Sequence, residues 1–333
     1  MSPVKKIRGV LAIIAIFGIT ISSSSFASAN QPELHIGVAY DTGGLGDHSL
    51  NDAVNSGFQS AKKRIGFSLE STVTIGSESD RQARVLSLVK KSCDLILVVG
   101  SQYASALKVL AAQFPDQKFA IINDETVGLR NVTSLVFAED QGGYLAGVTA
   151  ALLTQSSKIG IITNLSQSKD FDKGFALGAQ AVKKGILINS KYTNDSTANV
   201  AKQMIADGVD MIFSTNPGSD VDVLNVVASA NKDGKSVGLI GLEPEQYATL
   251  SPTTKRYLIA SVVKRLDTAV VDLLSEMSIG NTLSDIVNPS LGISGRRYGI
   301  IDKGVEISLW SSKSIKLKKQ INYFAKKAAK LST

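Results

Sequence analysis

The stretch HIGVAYDTGGLGDHSLNDAVNSGF, His35 to Phe58, decides the fold. It opens within an apolar run, Leu34–Tyr40, that reads as a strand. A loop carrying Gly43, Gly44 and Gly46 breaks that run. Apolar residues then recur at three- and four-residue spacing from Asn51 to Ile65, the period of a helix. A strand that passes through a loop into a helix is the opening half of a βαβ unit, and the pattern repeats outward from here. Further strands are expected at Ser71–Ile75, Leu95–Val99, Lys118–Ile122, Ser134–Ala138, Lys158–Thr163, Met211–Ser214 and Ser236–Gly241. Helices are expected between them at Arg81–Lys91, Tyr103–Gln113, Gln141–Thr154, Phe171–Lys184, Thr197–Asp207 and Val221–Lys232. This order predicts parallel sheets covered by helices. A closed barrel has the same alternation, but the run that restarts after Glu139-Asp140-Gln141-Gly142-Gly143 favours two open sheets, hence two lobes with a cleft between them.

At 333 residues, 44% apolar and 20% charged, the chain is long enough for two cores. Residues 1–29 stand apart from both. Lys5, Lys6 and Arg8 precede an apolar run from Val10 to Ile21, and Ala27-Ser28-Ala29 offers small residues for cleavage, the layout of a secretory signal peptide. A retained anchor is the alternative, although the run is shorter than the ~20 residues of a spanning helix. The one cysteine, Cys93, adjoins Leu95–Val99 and reads as a buried structural thiol. It has no disulfide partner and is not a lipobox cysteine, so the expected location is extracytoplasmic, at the outer face of the cell membrane without lipid attachment. His35 and His48 are too few for a zinc site or a histidine-based triad, and neither metal nor cofactor is expected.

The net charge of +7 is unevenly placed. Seven lysines and no acid lie between Lys313 and Lys330, and the rest of the exported chain is mildly acidic, so nucleic acid is not an expected partner. Ile321, Phe324, Ala328 and Leu331 recur there at helical spacing. The lysines are expected to solvate the outside of a docked helix, contact with an anionic surface being the alternative.

In parallel α/β sheets, ligands sit beyond the carboxyl ends of the strands. Asp41 ends the first strand there, the glycines let backbone approach a ligand, and Ser49 or Asn51 can start the helix. The spacing is not the dinucleotide fingerprint, and no phosphate-binding lysine follows. Taken alone, the loop reads equally well as a capped glycine turn with no ligand.

The segments YDTGGLGDHSLNDAVNSGF, FAEDQGGYLAGVTAALL, FDKGFALGAQAV, GVDMIFS and ASVVKRLDTAV, in this order, resemble the basic membrane protein family of bacterial substrate-binding proteins, from about Leu34 to Ser308. The resemblance implies an α/β, two-lobed type I periplasmic-binding-protein fold, each lobe a parallel sheet flanked by helices. It implies a monomer that captures a nucleoside, a purine favoured, by lobe closure and delivers it to an ABC transporter permease in the membrane, without catalysis. The implied division is an N-terminal lobe over 33–139, a C-terminal lobe over 140–245, a return to the first lobe over 246–287, a return to the second over 288–310 and a basic helix over 311–333. Hinges are expected near Phe137–Gln141, Leu242–Gln246 and Asp285–Pro289, where Pro244 and Pro289 suit extended backbone.

Carried over by position, Asp41, Ser49, Leu50 and Asn51 match the family's first-loop motif, with Leu50 in place of a phenylalanine that packs on one face of the base. The same resemblance places Phe171 on the other face, Glu243 and Lys264 at the ribose, Gly218 in a loop that brings backbone to the ligand, and Asp124 at a base amino group. For each polar residue a cap, turn or surface pair is the alternative. Two other functions remain open: a nucleoside-sensing receptor without transport, and a secreted nucleoside hydrolase using Asp41, Asp47 and Asp124 around a divalent cation.

Overall fold

The computed structural model describes residues 33–163, 169–193, 196–216, 221–242 and 247–329. The expected signal segment, Gly218, Glu243 and Pro244 lie outside them. The opening stretch forms β1 (Leu34–Tyr40) and α1 (Leu50–Ala61). The pattern repeats through β2 (Phe67–Val73), α2 (Glu78–Lys90), β3 (Leu95–Val99), α3 (Ala104–Gln113), β4 (Lys118–Ile122) and β5 (Val132–Phe137). These strands pair in parallel in the order β2-β1-β3-β4-β5. β3 is apolar and buried at every position, as a central parallel strand covered on both faces requires. On one face Ile36, Val38 and Tyr40 pack with Val54 and Phe58 of α1; on the other, Ala39, Ile96 and Val98 meet Val85 of α2 and Leu107 of α3. Cys93 is buried on that second face, and burial pushes its thiol pKa up, as a structural thiol predicts.

The chain then crosses to a second sheet through α4 (Glu139–Leu153), β6 (Lys158–Thr163), α5 (Asp170–Val182), β7 (Leu187–Tyr192), α6 (Thr197–Ala206), β8 (Met211–Ser214), α7 (Val221–Lys232), β9 (Gly238–Leu242), the short α8 (Pro252–Lys255) and β10 (Leu258–Lys264). The strands lie parallel in the order β7-β6-β8-β9-β10, with α4 and α5 on one face and α6 and α7 on the other. α4 and α5 meet backbone to backbone. A Cβ on Gly147 would stand 2.1 Å from the Phe175 carbonyl oxygen, and one on Gly174 only 1.9 Å from that of Asp140. Gly143 and Gly178 repeat these contacts one helical turn away on each helix.

The return path departs from the expected division. β10 lies within 246–287, yet it pairs with β9 in the second sheet. The crossing comes after it, where α9 (Leu266–Ser278) leaves to set Ala269, Val270 and Leu273 into the first core beside α1. β11 (Asp285–Asn288) and β12 (Ile293–Tyr298) then extend the first sheet, β12 parallel to β5, although 288–310 was expected in the second lobe. Only β13 (Val305–Leu309) goes back, antiparallel on β10. The crossings therefore follow β5, β10 and β12, and Phe137–Gln141 is the expected hinge that coincides with one. The physical reason is burial: Leu258–Lys264 is apolar on both faces and fits inside a covered sheet better than in a connection.

α10 (Ser312–Lys316) and α11 (Lys318–Ala328) end the described chain. Ile321 and Ala328 are buried against Tyr144, Leu145 and Val148 of α4, which leaves the lysines outside a docked helix, as expected. Among the described residues, no helix is long and apolar enough to cross a membrane.

Candidate functional site

Strand register gathers the first-lobe candidates at one edge. Ala39 pairs with Val98 and Val99 with Ile122, so Asp41, Gly100 and Asp124 follow the ends of the adjacent strands β1, β3 and β4. With strands ~4.8 Å apart, Asp41 and Asp124 are separated by roughly 10 Å across Gly100. Gly100 has φ 99, in the region glycine favours. A Cβ there would lie 3.6 Å from both Asp41 Oδ2 and Leu50 Cδ2. A carboxylate oxygen and an apolar side chain thus flank the same bare backbone.

The loop is held by its own polar groups. Asp47 accepts the backbone N–H groups of Ser49, Asn51 and Asp52 and so caps the first turn of α1, while Ser49 makes no side-chain cap. Asp52 accepts from the N–H groups of Gly46 and His48. Buried Asn51 accepts the Asp41 N–H and donates to the carbonyls of Asp41 and Thr42. Its amide therefore shapes the loop and positions Asp41.

Arg81 completes this half-site, and sequence reasoning missed it. It is 9% exposed on the first turn of α2, donates from Nη2 to Asp41 Oδ1 at 3.3 Å and from Nη1 to the Gly76 carbonyl at 2.7 Å, and lies over the Tyr103 ring. The pairing turns Oδ1 toward the arginine and leaves Oδ2 at Gly100. The available signal was a cation in the first turn of a helix, where the dipole favours acids.

Tyr103 donates its hydroxyl to the Tyr40 carbonyl at 2.8 Å and pins the end of β1. Burial pushes the Tyr40 phenol up to about 12, and pushes those of Tyr103 and Tyr298 higher still. In the unfolded chain tyrosine ionises near ~10, so the folded state holds these protons more tightly. Their stabilising effect is complete below about pH 10 and is lost as pH rises through about 12. Urea unfolding measured across this interval should show a declining free energy, with part of the tyrosinate absorbance appearing only as the chain unfolds.

Asp124 Oδ1 accepts from both the N–H and the hydroxyl of Thr126 at 2.8 Å, an Asx turn that leaves Oδ2 as its other acceptor. Lys264, at the end of β10, is nearly buried and donates to Glu139 Oε1 at 3.0 Å, so both partners sit where the chain passes between sheets. Arg265 beside it ties Asp267 of α9 to Glu306 of β13. A pocket of about 180 Å³ lies here between Ala53 and Ser56 of α1 and Val263, Lys264 and Glu306 of the second lobe. It is smaller than the ~300 Å³ at which ligand pockets begin. A larger depression of about 430 Å³, lined by Met211, Val237, Gly238 and Tyr257, lies at the amino ends of β8 to β10, away from the edge where parallel sheets hold ligands.

Phe171 is a correction. Its ring is 1% exposed, stands edge-on to Phe213 with centroids 5.8 Å apart, and belongs to the second-lobe core. A ring enclosed in this way does not cover a base. α4 encloses it, because Gly142 and Gly143 bring that helix directly onto the residue. The donor set of the hydrolase alternative is also dispersed, since Asp47 caps α1 and Asp41 pairs with Arg81. Among the described residues, no group of three or more His, Cys, Asp or Glu is placed to hold a metal ion. Glu243 and Gly218 lie outside the described residues.

Residues 35–332 match the family described as ABC transporter substrate-binding protein PnrA-like. The chain is 28% identical over 270 residues to a protein of Listeria monocytogenes named CD4+ T-cell-stimulating antigen, covering 76% of each. It is 25% identical over 271 residues to a Lactococcus lactis protein named ABC transporter nucleoside-binding protein BmpA, covering 75% of this chain and 76% of that one. Among solved structures it resembles an ABC transporter system solute-binding protein of Aeropyrum pernix, with a TM-score of 0.65 and 23% identity over 90% of this chain and 82% of the other. That likeness is one of fold, the type I periplasmic-binding-protein architecture of two lobes joined by crossing chain.

Proposed function

The chain belongs to the family of PnrA-like ABC transporter substrate-binding proteins, and from that premise we propose that it binds a nucleoside, a purine favoured, outside the cytoplasm and delivers it to a membrane permease. The observation that carries this reading is the convergence at Gly100 of Asp41 Oδ2 and the Leu50 side chain, with Asp124 two strands away. A carboxylate acceptor suits a hydroxyl or base N–H, and an apolar side chain beside it suits the flat face of a ring. The relative named as nucleoside-binding supports the same ligand class. With Phe171 in the core, cover on the far face falls to other second-lobe residues. Gly218 and Glu243 are proposed there from the resemblance, and Lys264 at the sugar, its ammonium shared with Glu139. A ligand touching both lobes favours the closed arrangement, and the closed pair is what the permease receives. No bond is made or broken.

Calorimetry with purine and pyrimidine nucleosides, free bases, sugars and amino acids tests this reading. Leu50→Phe is expected to tighten purine nucleosides by ~0.5–1.5 kcal/mol through ring stacking, with less effect on cytidine. Equal weakening of every ligand would instead report an overpacked loop. Binding of sugars or amino acids, with no response to any nucleoside, removes the nucleoside assignment and leaves solute binding in place.

A further inference from the structure

We propose that the outer face of the two C-terminal helices docks the protein on an anionic lipid surface, whichever solute the cleft holds. α11 turns Ile321 and Ala328 toward α4, with Phe324 partly buried beside them. At ~100° per residue, Lys319, Tyr323 and Lys326 fall on the opposite side, with Lys327 adjacent. Tyr323 is 59% exposed, packs its ring against Phe324 and carries the Lys327 ammonium 4.8 Å from its centroid. Ile315 on α10 is also exposed. None of the lysines from Lys313 to Lys327 forms an ion pair among the described residues, and no acid lies between them in sequence.

Uncompensated cations on one ridge repel one another, which solvation alone does not reward. An anionic bilayer relieves that repulsion. It also accepts an exposed tyrosine at headgroup level, where the ring is sheltered and the hydroxyl stays wet. The ridge is convex and its charges recur along it without a recess, so it suits a broad charged plane better than a shaped acidic partner. The mildly acidic remainder of the chain is repelled by the same surface, and this fixes which side faces it.

The test is sedimentation of the full chain with phosphatidylcholine vesicles prepared with and without phosphatidylglycerol, at low and high salt. The chain is expected to pellet more strongly with the anionic vesicles and to lose that excess at high salt. Replacing Lys319, Lys326 and Lys327 together by glutamine should lower the anionic partition coefficient by roughly tenfold to a hundredfold. The thermal midpoint should not move, since these side chains are exposed. Tyr323→Ser should weaken binding while its salt dependence persists. Equal pelleting with both vesicle types, or a triple variant that binds as wild type does, overturns the proposal. Retention on immobilised polyglutamate without vesicle binding overturns it in favour of an acidic protein partner.

Discussion

Gly174→Ala is expected to destabilise the protein by ~3 kcal/mol or more, although it adds one methyl group. The added Cβ would stand 1.9 Å from the carbonyl oxygen of Asp140, 2.7 Å from its carbonyl carbon and 2.9 Å from its Cα. Those atoms are backbone, so no rotamer change relieves the overlap. α4 and α5 have to separate, and the contacts at Gly143, Gly147 and Gly178 separate with them. Close-packed interiors transmit such a shift to the sheet below. Gly66→Ala is the control, because nothing lies within 4 Å of a Cβ there. Urea denaturation should show a lower midpoint at unchanged slope for Gly174→Ala and little change for Gly66→Ala. Equal stability of the two variants would sink the backbone-to-backbone packing of these helices.

Phe171→Ala should cost a comparable ~3–5 kcal/mol, the usual range for emptying a buried aromatic site. The ring touches Phe213 and lies under α4, so its removal leaves a cavity that rigid helix backbone does not refill. The molecules that remain folded should keep their ligand affinity, since no part of the ring reaches the cleft surface. Denaturation and calorimetry on the same sample separate the possibilities. Intact stability with lost nucleoside affinity would return Phe171 to the ligand.

The central strands were legible because a strand covered on both faces is written as an unbroken apolar run. β1, β3, β4, β6 and β8 begin and end where their composition says. β7 is an edge strand with most of its residues at least partly exposed, and its polar sequence carries no such signal. The return path was hidden for a different reason: periodicity tells that Leu266–Ser278 is helical, but not which lobe its apolar face will join. In the site, Asp41, Leu50 and Asp124 were readable because strand ends locate the functional edge. Phe171 was misread, since a residue at a helix start can face the cleft or the neighbouring helix, and Gly142 and Gly143 decide it from another element. Arg81 lies 40 residues from Asp41, and only the sheet brings the two together.

The route of the chain between sheets also sets an order of assembly. β5 finds its neighbour β12 only after the whole second lobe has been made, and α1 waits equally long for α9. A nascent chain therefore carries an open sheet edge and an uncovered helix face for most of its synthesis. Pairings so distant in sequence form slowly, because closing the loop costs entropy before any contact rewards it. The second lobe draws five of its six strands from one continuous run and can collapse first. The species that accumulates in between exposes a strand edge of the kind that chaperones hold and that aggregates when left free. For a polypeptide that crosses a membrane unfolded, this late closure keeps the chain threadable until its last hundred residues arrive.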